Sequence, residues 1–266
     1  MVVPTTEPTV RALSRHTLSA VALLTALHST AVFGTLLTEP AGLSRTTRTL
    51  RLARNLPLNL RATVGDIEVA GWNRPDVTIE IIRKAPTANS LTSISATVDL
   101  DSARLQISAV QRDQQHVARL NGSIVVHAPV DQPVEAIDLF EGHISVRNMH
   151  RVVRARVEHG AIDGTALSGS IRLETIVGDI RLERALLTDM LRLRTFNGNV
   201  ALGFTPSPTN ARILALSLGG SIQSDIPLNL KKQFGPRFGE ATIGRGSPVV
   251  SIDVVNGDIS ITSGRS

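Results

Sequence analysis

A glycine set between two short strand-like runs recurs along the chain at near-constant spacing, and this recurrence limits the fold more than any other feature of the sequence. "VGDIEVAGW" (64–72), "VGDIRLE" (177–183), "TFNGNVALGF" (195–204) and "VNGDISIT" (255–262) share the shape. Such glycines stand at Gly65, Gly122, Gly142, Gly160, Gly169, Gly178, Gly198, Gly220 and Gly257, each followed two positions on by Ile or Val. Glycine reaches positive φ at little steric cost, and a β-branched residue returns the chain to an extended path. Each copy therefore reads as a bend between strands.

Two architectures use such bends. In an antiparallel meander "LRLRTF" and "NVALGF" are the arms of one hairpin around Asn197 and Gly198. In a solenoid the same residues are a corner at which each coil begins another side. From Gly142 the glycines step by 18, 18, 20 and 22 residues to Gly160, Gly178, Gly198 and Gly220. A period near 20 favours the solenoid. The expected fold is all-β, a single-stranded β-helix with coils of roughly 20 residues. Ile144, Ile162, Ile180, Val200 and Ile222 then form one interior column, so that no repeat need be stable alone.

Alternation supports strands throughout. In "IRLE" (171–174) and "LRLR" (191–194) apolar and charged residues take turns, which places one face on a core and the other in water. Residues 131–266 carry the regular repeats. Residues 45–130 are less regular, with strands at "VTIEII" (77–82), "SISATVDL" (93–100) and "ARLQISAV" (103–110), and are expected to form an opening sheet that caps the coil. The stretch 229–247 interrupts the period between Gly220 and Gly257, either as a functional loop or as a cover for the exposed edge, with a short helical turn around "PLNLKKQF" (227–234).

The N-terminus differs in kind. Arg11 and Arg15 precede the apolar run 17–37, and no further Lys or Arg appears until Arg45. That asymmetry predicts export of the chain beyond the apolar run. Residues 1–37 are expected to be a hydrophobic helix. It serves either as a signal peptide cleaved near Ser29 and Ala31 or as a single-pass membrane anchor, with 38–44 as linker.

Composition narrows the chemistry. The chain has no cysteine, so disulfides, thiolate zinc sites and cysteine nucleophiles are excluded. Aromatic residues are 3% of the total, too sparse for a nucleic-acid stacking platform or a carbohydrate groove. The net charge is +5, yet Arg172, Arg181, Arg184 and Arg192 alternate with Glu174, Asp179, Glu183 and Asp189, the pattern of a solvated face. Arg147, Arg151, Arg154 and Arg156 are a run without an internal acid, a candidate for an anion or lipid headgroup. Asp66, Asp179 and Asp258 follow corner glycines and are expected to accept hydrogen bonds from their own backbone. The spacings of His143, His150 and His159 fit no helix-borne ligand pair, so no metal site is assigned. No P-loop, G-x-S-x-G or H-E-x-x-H motif is present, and neither a cofactor nor a catalytic residue is assigned.

Taken together, "VGDIEVAGW" with "RPDVTIEI" after it, the core "GSIRLETIVGDIRLE" and the ending "GRGSPVVSIDVVNGDISIT" resemble the bacterial "putative adhesin" family of β-strand-repeat proteins of unknown function. The resemblance covers residues 45–266. It implies an extracytoplasmic, β-helix-like protein without known catalysis, often carried behind a signal peptide or an anchor. The expected function is a non-enzymatic binding, adhesion-like or scaffold module of the cell envelope. Its partner would be another envelope protein, a surface polymer or a neighbouring copy, with membrane contact through 17–37 if that segment is retained. Alternatives are a polysaccharide lyase or hydrolase and a membrane-anchored sensor of envelope stress.

Overall fold

The structure is a computed structural model that describes residues 42–112, 120–232 and 235–264. The expected signal peptide or anchor lies outside the described residues. The first strand already includes Leu43 and Ser44, so the last two residues of the expected linker are strand.

The described residues are strands joined by turns, with one short 3₁₀ turn at Asn89–Ser93. The strands are β1 (Leu43–Arg51), β2 (Leu58–Trp72), β3 (Asp76–Lys84), β4 (Ile94–Leu100), β5 (Leu105–Gln111), β6 (Asn121–Pro129), β7 (Val134–Arg147), β8 (Val153–Thr165), β9 (Ile171–Val177), β10 (Ile180–Ala185), β11 (Leu191–Asn197), β12 (Val200–Phe204), β13 (Ala211–Ser217), β14 (Ile222–Ser224), β15 (Asn229–Lys232), β16 (Arg237–Ile243), β17 (Val249–Asn256) and β18 (Ile259–Ser263).

Seven stretches share one design: a first arm, a glycine corner and a second arm. In β2, β7 and β8 the strand runs through its corner at Gly65, Gly142 and Gly160. In the pairs β9/β10, β11/β12, β17/β18 and β13/β14 the corner at Gly178, Gly198, Gly257 or Gly220 divides it. Each such rung pairs with the next in parallel. Gly65 stands opposite Gly142 and Gly142 opposite Gly160, while β8 pairs with both β9 and β10. β9 and β10 in turn pair with β11 and β12. The hairpin reading of "LRLRTF" and "NVALGF" fails, because these arms belong to different parallel ladders.

The stacking order departs from chain order at one end. β11 and β12 pair with β17 and β18, and these pair with β13 and β14. The last rung in sequence thus sits between the fifth and the sixth. Residues 229–243 supply two antiparallel strands, with β16 on β13 and β15 on β16. The segment expected as a helical turn is therefore partly strand, since β15 finds a backbone partner in β16 and the main chain completes its hydrogen bonds there. At the other end the pairs are antiparallel as well: β4 on β5, β6 on β3 and β3 on β1. β5 and β6 each lie parallel to one arm of β2.

The core reflects period two. In β9 Ile171, Leu173 and Thr175 are buried while Arg172 and Ile176 are exposed, and the same alternation holds in β11 and β13. The buried set is mostly Ile, Leu, Val and Ala, each fully buried large aliphatic worth about 1.5–3 kcal/mol.

Candidate functional site

The glycine corner fixes where every outward side chain points. A Cβ added to Gly160 would lie 1.7 Å from the carbonyl oxygen of Gly142, and one added to Gly178 would lie 2.0 Å from that of Gly160. Real Cβ atoms do not approach so closely. The φ angles at these positions, 151° and 141°, also favour glycine. The same contact repeats from Gly178 to Gly198, Gly198 to Gly257 and Gly257 to Gly220. Gly169 belongs to a different bend, against the carbonyl of Arg151, and Gly122 packs against the Ala109 side chain in the opening region.

The corner carbonyls and amides are satisfied from neighbouring rungs. Buried Thr175, Thr195 and Ser217 donate their hydroxyls to the carbonyls of Gly160, Gly178 and Gly257 at 3.1, 3.0 and 2.9 Å. Asp66 accepts from the amide of His143 at 3.2 Å, Asp179 from Asn199 at 2.7 Å, Asn199 from Asp258 at 2.9 Å, and Asp258 from Ser221 at 2.7 Å. The sequence pattern predicts bonds from these acids to their own backbone. They bond the adjacent rung instead, because the parallel register brings the next rung's amide within hydrogen-bond distance of the carboxylate. The backbone and hydroxyl bonds from Ser221 hold the Asp258 carboxyl below its usual range.

Of the expected interior column, Ile144, Ile162, Ile180 and Val200 are successive partners in the parallel ladders. Val200 is next to Ile259, and Ile259 is next to Ile222. Ile259 therefore stands between two residues that the glycine spacing places side by side, as a consequence of the inserted last rung.

The histidines do not converge. His143 Nε2 lies 3.2 Å from Asp163, His159 meets the Phe140 ring edge-on at 5.4 Å, and His150 is exposed. Among the described residues no three His, Asp or Glu gather in a metal-like group. The arginine run is divided as well: Arg147 pairs with Glu68, Arg151 with Asn55 at 2.8 Å and Arg154 with Glu135. A shallow polar depression at the last corner is lined by Leu218, Gly220, Ser221, Gly235, Arg237 and Asp258, and one oxygen of Asp258 is already taken by Ser221.

The outer face of the first arms is a better candidate. Its middle column reads Arg61, Asp138, Arg156, Glu174, Arg194, Asp253, each the register partner of the next. Signs alternate without a break over six rungs. A second column, nearer the corner, is apolar over its last four rungs, beyond Glu158. Phe196 lies between Ile176 and Val255, because Thr195 and Asn197 are paired with Thr175 and Val177 on one side and with Val254 and Asn256 on the other. Leu218 lies on the next rung, where its amide bonds the carbonyl of Val254 at 3.0 Å. Phe196 is 53% exposed, Leu218 44% and Ile176 39%. A monomer gains nothing from holding a row of large apolar side chains in water, and such rows mark interaction surfaces. Sequence reasoning passes over this column. The available signal is parity: with Leu191 and Leu193 inward, Phe196 must point outward with the charges.

No curated protein matches the chain. Among solved structures, a "putative cell adhesion protein" from Clostridium sporogenes is similar at 11% identity, with 83% of this chain and 100% of that one covered and a TM-score of 0.49. A "putative adhesin" from Bacteroides fragilis is similar at 14% identity over 83% and 97% of the two chains, with a TM-score of 0.37. A "putative lipid binding protein" from Parabacteroides distasonis is similar at 9% identity over 82% and 96%, with a TM-score of 0.30. The family model of Toastrack DUF4097 matches residues 54–262, from the first full rung to the last, and the chain belongs to that family.

Proposed function

We propose that this chain is a non-enzymatic binding or scaffold protein of the cell envelope. Its rungs wind as a single β-solenoid, and the outer face of the first arms is its interaction surface. The parallel, in-register pairing from β2 to β14 supports the winding. The column of exposed Ile176, Phe196 and Leu218 with half-buried Val255 carries the binding reading, because it sits on a stacked sheet whose side chains are fixed in direction by the glycine corners. Export rests on the basic flank and apolar run of residues 11–37. Among the described residues no helix is long and apolar enough to cross a membrane.

The experiment is retention of envelope components by the purified protein, compared with a Phe196→Ser/Leu218→Ser variant. Both side chains are exposed, so unfolding transitions should coincide within about 0.5 kcal/mol per substitution. The reading predicts at least a tenfold loss of retention in the variant. Equal retention by both proteins, or depolymerisation of an envelope polysaccharide by the wild type, contradicts it.

A further inference from the structure

The middle column has a property that a mere solvated face does not need. Its order along the stack is Arg61, Asp138, Arg156, Glu174, Arg194, Asp253. Read backwards, every sign is reversed. A second copy laid face to face, and related by a two-fold axis that runs along the strands between the rungs of Arg156 and Glu174, would therefore set every charge of this column against its opposite, while in the neighbouring column Arg154, held by Glu135, would face the partner's Arg172, held by Glu174. Arg61 would meet the partner's Asp253, Asp138 the partner's Arg194, and Arg156 the partner's Glu174. The same operation places Phe140 opposite the partner's Phe196. A two-fold interface requires this kind of self-complementarity.

We propose that two copies of this chain associate through the outer face of their first arms in that two-fold arrangement. The proposal rests on the reading of this face as the interaction surface and names its occupant. Three observations support it. First, Arg61, Asp138, Arg156 and Arg194 form no ion pair among the described residues, although each has an opposite charge on an adjacent rung. Second, the two carboxylates that are engaged keep an oxygen free. Arg172 binds Glu174 through Oε1, and Arg192 approaches Asp253 Oδ2 at 3.7 Å. Glu174 Oε2 and Asp253 Oδ1 remain for a partner. Third, the face is large enough. Seven residues at about 3.3 Å and six rungs at about 4.8 Å give about 650 Å² per copy, or about 1,300 Å² in all, above the roughly 1,000 Å² that a specific interface needs.

The test uses the two ends of the ladder, which are five rungs apart and cannot touch within one chain. Sedimentation of the wild type should show a concentration-dependent monomer–dimer equilibrium that weakens with salt. Arg61→Glu alone and Asp253→Arg alone should each weaken the dimer about tenfold or more, because each places like charges together twice. An equimolar mixture of the two variants should dimerise again, and so should the double variant R61E/D253R. If the ladder acted only within the chain, the double variant would carry two unfavourable neighbours, Glu beside Asp138 and Arg beside Arg194, and would show no rescue. A wild type that stays monomeric at about 100 µM overturns the proposal, as does a dimer indifferent to these substitutions or lacking rescue. Retention of envelope components that depends on Phe196 and Leu218 would survive either result, so the two readings fail separately.

Discussion

The carbonyl oxygen of Gly160 occupies the space in which a Cβ on Gly178 would sit, 2.0 Å from it. The two rungs approach this closely only because Gly178 lacks a side chain. The constraint is handed on along the stack, since a Cβ on Gly198 would meet the carbonyl oxygen of Gly178 at the same distance.

Gly178→Ala should therefore lower stability by about 3 kcal/mol or more, from the clash together with the strained φ. Gly235, which has positive φ but, among the described residues, no atom within 4 Å of its would-be Cβ, provides the control. Gly235→Ala should cost about 1 kcal/mol, the backbone term alone. Urea denaturation midpoints check the difference.

Ile180 is buried in the column and Arg181 beside it is exposed. Ile180→Asp puts an unpaired carboxylate among Ile162, Val200 and their neighbours and should unfold the central rungs. Arg181→Ala should shift stability by no more than about 0.5 kcal/mol. Thermal unfolding followed by circular dichroism separates the two, and equal stability would mean that the faces are assigned the wrong way round.

The buried hydroxyl of Thr195 meets the Gly178 carbonyl in the dry interior. Thr195→Val keeps the shape and removes the donor, and should cost about 1–2 kcal/mol. Thr195→Ser retains the bond and should cost less. If Val is as stable as Thr, the corner carbonyl has another partner.

Asp258 titrates below the usual carboxylate range because Ser221 donates to it from both backbone and side chain. A carboxyl with a depressed folded-state pKa favours folding fully above its unfolded pKa, and that contribution fades as pH falls through the unfolded value toward the folded one. Stability should therefore decline on acidification below the ordinary Asp range, and Asp258→Asn should flatten that decline. Asp101, held down by the amides of Ala103 and Arg104, contributes in the same direction and should remain in the variant. Denaturation midpoints between neutral and acidic pH test this.

Local features of the fold can be read from the sequence because local physics enforces them. Glycine at 142, 160, 178 and 198 is demanded by the backbone contact itself, and the alternation in "IRLE" and "LRLR" by burial on one side. The inserted rung cannot be read in this way. β13 and β17 both present inward aliphatics at every second position, so either could stack on β11, and no local pattern distinguishes them. What separates them is that β13 takes up β16, a pairing between residues 211–217 and 237–243 that lies beyond any short window. The outer face of the first arms is half legible. The alternating charges of 172–194 read as a solvated surface in sequence, but the ladder they form needs the register between rungs, and Phe196 needs its parity.

The rungs lie parallel, with the last one inserted between the fifth and sixth. The chain has no cysteine, so pairs can be introduced without background. Ala201 and Ser260 are register partners on adjacent rungs, whereas Gln223 pairs with Ser260 from the far side. Under mild oxidation, Ala201→Cys/Ser260→Cys should form a disulfide, because neighbouring parallel strands hold such residues within bridging range. Ala201→Cys/Gln223→Cys should not, since two rungs separate the pair by about 10 Å. A bridge between 201 and 223, with none between 201 and 260, would contradict the account.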